Sequence, residues 1–295
     1  LNGQALLQVP VIDAAGFDEI SLRALSTLVP RSLEDVLPPI VASGEIEFRP
    51  EVSLAADGRI VLEAARITTS GAGSARVAAP YVALGPTDTL AQEPASVAAG
   101  SGRLTVEAGL IDVRGQLGVS GVQTLRLSAA EAIRLGGVFP PGGADYAGRL
   151  RASGDVEFRA PTTHVATASR FELDSGGAVR WLPEPTGPGA PVLSVGGSLT
   201  VRARDIQVDG HVEVPLGSIA FEAPRFRLGD TGQLVTTLST TAPFGRLEAG
   251  RDWVYELEQG LKRAYPEGLP AKSVSITADS IEVAAGVAID VSGFG

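Results

Sequence analysis

Residues 197–223 read GSLTVRARDIQVDGHVEVPLGSIAFEA. Apolar side chains fall on every second position in short bursts: Leu199, Val201 and Ala203, then Ile206 and Val208, Val212 and Val214, and finally Ile219, Phe221 and Ala223. Period-two alternation marks a strand with one buried face. Each burst is closed by Gly, Ala or an Asp-Gly step, and the phrase then starts again, with 20 residues separating Leu199 from Ile219. A second copy runs through Leu104, Val106, Ala108, Ile111, Val113, Gly115, Leu117 and Val119, and its Leu104 precedes Leu125 by 21 residues. A third runs through Val274, Ile276, Ala278, Ile281, Val283, Gly286, Val287, Ile289, Val291 and Gly293. Repetition of strand-and-turn units at this period predicts a solenoid, because each turn buries its apolar face only against the next.

Composition agrees. Hydrophobic residues make up 44% of the 295, enough for a continuous core, while aromatics at 5% leave Val, Leu, Ile and Ala to fill it. The 36 Gly and 20 Pro are spread along the chain, as a fold with many turns requires. A net charge of −10 argues against nucleic acid, whose partners carry a basic stripe. There is no Cys, which removes a disulfide framework and suits an exported protein that crosses membranes unfolded. No run approaches 18 apolar residues and no signal peptide is visible. Without a Met at position 1, and starting in mid-pattern, the chain reads as a piece of something longer.

Alternation recurs at 45–48, 60–64, 76–84, 104–119, 124–127, 132–135, 155–160, 199–214, 218–228 and 273–291. The expected strands are short, about 3–5 residues, with Gly or an Ala-x-x step turning a corner between sheets. Asp-Gly occurs only at Asp57-Gly58 and Asp209-Gly210, and Asn only at Asn2, which weighs against an antiparallel hairpin fold. Four segments interrupt the rhythm: about 22–43, 136–148, 181–191 and 244–270. The first and last carry helical spacing. Leu22, Leu25, Leu28, Leu33, Val36 and Leu37 surround Pro30, and Val254, Leu257, Leu261 and Tyr265 follow an Asp252 cap and stop at Pro266. The expected architecture is one all-β solenoid over 1–295 with small helical and loop insertions.

Several phrases resemble a known family: Ala15-Gly16-Phe17-Asp18; the 102–119 copy; Ser153 to Phe158, followed by 162–171; 194–199; Val214 to Ile219; Pro243-Phe244-Gly245; Trp253; and 269–273 leading to 287–293. In their order and spacing the chain is similar to the C-terminal half of large bacterial exoproteins of the filamentous-haemagglutinin type, the passengers of two-partner secretion. The resemblance implies a right-handed parallel β-helix at the cell surface or outside a Gram-negative bacterium. It implies export through an outer-membrane transporter that recognises a region outside this chain. It also implies an adhesive or structural role toward a host or cell-surface glycan or protein receptor. Two departures stand out: the 22–43 insertion is long, and the lack of Asn removes the stacked amide ladders of some β-helices. No binding residue carries over, because the likeness lies in the scaffold.

Chemistry-bearing motifs are scarce. Of the two His, His164 follows Pro161-Thr162-Thr163 at what reads as a turn, so an exposed or hydrogen-bonded role is expected, and neither it nor His211 has metal-ligand spacing. No G-x-S-x-G elbow is present, and Gly196-Gly197-Ser198 lacks the Lys of a phosphate loop. The enzyme alternative is a β-helical polysaccharide lyase or hydrolase, which needs clustered carboxylates. Asp112, Asp155, Asp205, Asp209, Asp230, Asp279 and Asp290 mostly stand singly, although Asp205, Asp209 and Asp230 are candidates to converge across turns. A third option is a self-associating filament or coat, since end turns present open edges. The reading names no catalytic residue, cofactor or metal ligand. Its candidate contact residues are the aromatics of the interrupting segments: Phe139, Tyr146, Trp181, Trp253, Tyr255 and Tyr265. For the two Trp the plainer role is to anchor an insertion onto the rod.

Overall fold

The computed structural model describes residues 16–24, 44–87, 97–139, 146–183, 192, 194–236 and 273–291. Every helix-or-strand element among them is a strand, and every pairing between named strands is parallel. Among the described residues the one antiparallel contact is an isolated bridge between Val138 and Ala147.

The strands stand in three ladders. The first is an eight-stranded sheet in the order β2 (Glu45–Phe48), β5 (Arg66–Thr69), β8 (Gln116–Ser120), β10 (Tyr146–Ala152), β13 (Ser169–Ser175), β15 (Ser198–Arg202), β18 (Ser218–Glu222) and β21 (Ser273–Thr277). A 15-stranded sheet holds the other two. Three long strands, β6 (Ser74–Leu84), β7 (Gly102–Arg114) and β9 (Val122–Gly136), pair with one another along both halves. Their first halves belong to the second ladder with β3 (Val52–Ala55), β11 (Asp155–Arg159), β14 (Ala178–Leu182), β16 (Asp205–Val208), β19 (Arg225–Leu228) and β22 (Ser280–Val283). Their second halves belong to the third ladder with β1 (Glu19–Arg23), β4 (Arg59–Glu63), β12 (Thr163–Val165), β17 (His211–Glu213), β20 (Gln233–Val235) and β23 (Ala288–Asp290).

The chain visits the ladders in rotation, and one rotation is the sequence repeat. Leu199 pairs with Ile219 and Leu104 with Leu125, while the third copy is in register with the coil before it through Ile219–Val274, Phe226–Ile281 and Leu234–Ile289. The protein is therefore all-β with long parallel sheets, a pattern consistent with a β-solenoid, although neither sheet closes on itself.

Alternation places the core. In the third ladder Leu62, Leu84, Val113, Leu135 and Val165 stack as one inward row, each essentially without exposed surface. Few aromatics are needed, but four gather in one place: Phe158 stacks on Trp181 at 5.1 Å, Trp181 meets Phe221 edge-on at 5.9 Å, and Phe221 lies 5.1 Å from Phe226.

Two features differ from the sequence expectation. Strands β6, β7 and β9 are 11, 13 and 15 residues long, not 3–5, because they pass from one ladder to the next without a break. The turn is absorbed by a register shift between Ala108 and Leu110, at Gly109. Two ladders also skip a rung: β5 pairs directly with β8, and β12 directly with β17. At both skips the coil in between contributes no strand to that ladder among the described residues, so its neighbours pair directly. Of the helical segments expected within 22–43 and 252–265, Leu22 and Arg23 belong instead to β1, extended by pairing with Leu62 and Glu63, and residues 25–43 and 252–265 lie outside the described residues. At the last rotation Ile281, Val283 and Ile289 are 51%, 48% and 42% exposed, although their partners Phe226, Leu228 and Leu234 are buried.

Candidate functional site

Polar chemistry concentrates on the outer face of the third ladder. Pairing brings Val61, Ala83, Asp112, Arg134, His164, Glu213, Val235 and Asp290 into one row across successive strands. Alternation turns this row away from the core, yet Asp112, His164 and Glu213 are only 2%, 9% and 5% exposed. Withdrawn from water, each depends on its neighbours for compensation.

Asp112 is fully served. Tyr81 donates its hydroxyl to Oδ2 at 2.7 Å, and Arg134 donates Nε to Oδ1 at 2.7 Å and Nη2 to Oδ2 at 2.5 Å. This two-pronged guanidinium contact, bonded to a buried carboxylate, is the strong kind of ion pair. Bonding to Asp112 raises the Arg134 pKa, and burial, with Asp112 second, raises that of Tyr81.

His164 and Glu213 have no such partners among the described residues. Glu213 stands across from His164, and its Oε2 lies 3.7 Å from Nε2 of His211, beyond a hydrogen bond. The buried Nδ1 of His164 and Nε2 of His211 have no partner among the described residues. Burial, helped by the Arg134 guanidinium, pulls the His164 imidazole down to about 4. Burial also lowers His211 and pushes the Glu213 carboxyl up to about 7. The sequence reading of His164 as a turn residue, exposed or hydrogen-bonded, is thus corrected. It lies in β12, buried and without a partner at Nδ1, because parallel pairing to β9 and β17 extends the strand through it.

Nearer the first strand, the same face opens into a groove of about 370 Å³ lined by Glu19, Ser21, Arg23, Arg59, Val61, Glu63, Tyr81 and Arg114. Arg59 pairs with Glu19 at 2.5 Å, Arg23 pairs with Glu63, and Thr87 donates to Glu63 at 2.6 Å. Arg114 has a buried Nε with no partner among the described residues.

Elsewhere carboxylates are held one by one by arginines on adjacent strands. Examples are Arg76–Glu107, Arg126–Glu157, Arg180–Asp155 and Arg225–Asp205 at 2.5, 2.8, 3.0 and 2.9 Å, and a larger network joins Arg149, Arg202, Glu172, Asp174 and Glu222. Asp205 and Asp209 occupy opposite ends of one strand stretch, Asp205 with Arg225 and Asp209 accepting from Gln207, while Asp230 is exposed in the following turn. The Asp209 carboxylate lies against Gly229, next to Asp230, but Asp205 stands at the far end of β16, so the three do not share one site. Among the described residues no three His, Asp or Glu are placed to hold a metal ion.

Of the sequence-named aromatics, Phe139 and Tyr146 are 46% and 47% exposed and meet edge-to-face at 5.5 Å beside the Val138–Ala147 bridge. Trp181 is 1% exposed within the aromatic stack, so it is a core residue with no face for a partner. Trp253, Tyr255 and Tyr265 lie outside the described residues. The polar row itself was missed by sequence reading, since its successive members are 22 to 55 residues apart and no motif links them. Comparison with protein-family models, with curated proteins and with solved structures finds no match.

Proposed function

We propose that the chain is a right-handed parallel β-helical segment of a secreted bacterial exoprotein of the filamentous-haemagglutinin type. In this reading it is a non-catalytic stalk, displayed at the surface of a Gram-negative cell and carrying contact residues toward a glycan or protein receptor. Export runs through an outer-membrane two-partner transporter acting on a region outside this chain. The observation that supports the reading is the three-ladder register, which repeats the sequence phrase strand after strand. Nine strands of the second ladder, at ~4.8 Å each, make a stiff body roughly 40 Å long. The Phe139–Tyr146 pair is its exposed aromatic contact. The test is protease shaving of intact cells producing the parent protein, combined with attachment assays of a Phe139→Ala, Tyr146→Ala double variant. Cleavage of this segment from outside and a severalfold loss of attachment are expected. A segment inaccessible from outside, or unchanged attachment, overturns the reading.

A second reading is favoured by one observation: the last rotation leaves Ile281, Val283 and Ile289 exposed on strands that pair with no further strand among the described residues. It makes the rod self-associating, one copy seated on another. Light scattering that reports a monomer at high concentration rejects it.

A further inference from the structure

We propose that the groove over β1 and β4 is a binding site for a sugar unit bearing one carboxylate, with Arg114 as the anchor. Its volume of about 370 Å³ falls within the range of small-ligand sites. The floor is Ser21 and Val61, neighbours in register on β1 and β4. On one side the Arg59–Glu19 pair, and on the other the Arg23–Glu63 pair, present donors and acceptors in alternation, the pattern that hydroxyl groups need. Tyr81 closes one end with its hydroxyl committed to Asp112, so its ring is held in place.

Arg114 supplies the charge. It shares its register row with Glu63, Gly85 and Gly136, and the flanking glycines place no side chain beside its stem. Every other arginine of the groove is paired to a carboxylate, whereas Arg114 makes no ion pair among the described residues. A guanidinium fork matches a carboxylate in plane and spacing. One unpaired cation beside Glu19 and Glu63 favours a single negative charge; a dianionic phosphate would meet two carboxylates with only one cation to offset them. The groove faces outward on a rigid ladder, so binding needs no rearrangement of the core.

The site is independent of the adhesive reading: a stalk with no receptor would still carry it, and a failed titration leaves the stalk intact. The experiment is a titration of the full chain, followed by calorimetry or NMR, with sodium glucuronate, glucose and inorganic phosphate in parallel. Glucuronate is expected to bind saturably, and glucose and phosphate at least about tenfold more weakly. Arg114→Gln is expected to lose glucuronate binding by about tenfold or more while its melting temperature stays near that of the parent, since no hydrogen bond is removed. Ser21→Trp, which fills the floor without touching Arg114, is expected to abolish binding as well. Failure of glucuronate to bind, equal binding of glucose or phosphate, or unchanged binding by either variant overturns the proposal.

Discussion

Glu213 and His164 face each other across one strand pair, and their titrations oppose. The Glu213 pKa is raised from 4.5 to about 7, so the folded chain holds that proton more tightly than the unfolded chain. The stability it contributes is present below pH 4.5 and is lost as pH climbs to 7. His164 is lowered from 6.5 to about 4, so its contribution is present above pH 6.5 and is lost as pH falls to 4. Between about 4.5 and 6.5 the two slopes cancel. The charged and titratable groups around the pair are His211 on the same strand, Arg134 on β9 and Asp112 beyond it, of which His211 is lowered in the same direction as His164. Glu213→Gln removes one slope. Its melting temperature is therefore expected to rise with pH through the 4.5–6.5 window more steeply than the parent's, in which Glu213 opposes the histidine slopes. At pH 8 it should exceed the parent by the equivalent of roughly 3 kcal/mol. A parent and variant with parallel pH profiles would show that Glu213 is solvated. None of this was legible in the sequence. Pro161-Thr162-Thr163 reads as a turn in isolation, and only pairing with residues 30 positions before and 49 after His164 makes it a buried strand.

At the level of strands and corners, legibility was uneven for a physical reason. Side-chain alternation is local, so inward positions such as Leu199, Ile206, Ile219 and Phe226 could be assigned from the chain itself, and their pairing follows the repeat. How a corner is turned is set by the next coil. Gly109 and Gly121 look alike in sequence. At Gly109 the strand shifts register and continues, whereas Gly121 ends β8 with φ of +74° and hands the chain to β9. A Cβ on Gly121 would strike the carbonyl oxygen of Thr69, which sits on the facing strand of the preceding coil. The same tightness explains why Thr69 Oγ1 donates to the Gly121 carbonyl at 2.9 Å. Gly121→Ala combines a left-handed backbone with a collision and is expected to destabilise by about 2 kcal/mol or more, read as a lower denaturant midpoint. Gly286 is also at positive φ (+84°) but has open space around it, so Gly286→Ala should cost only the backbone preference, about 1 kcal/mol. Equal losses at the two positions would mean that coil-to-coil contact does not constrain the corner.

At the scale of the molecule, three parallel ladders sharing one apolar interior make the chain stiff along the direction in which strands stack. Outward arginines and carboxylates on adjacent strands run along that direction too, and each exposed pair contributes little alone. The core rows carry the stability: side chains such as Val113, Leu135 and Val214 pack against the coil above and the coil below. Sequence repetition reached this far because it is the linear image of the stacking. It carried no information about the polar row or the groove, which arise where unrelated residues from different coils meet. The proposed stalk role rests on the same stacking, and so does the placement of Arg114 and Glu213 on one face. The register is therefore what most needs measuring. Because the chain has no Cys, two spin labels can be placed cleanly by Gln116→Cys and Ser275→Cys. These positions are joined in the first ladder through Arg149, Glu172, Thr200 and Ala220, five steps of ~4.8 Å. A dipolar distance centred near ~25 Å with a narrow spread is predicted, whereas a broad distribution, or one centred well beyond ~40 Å, would contradict the stacked register.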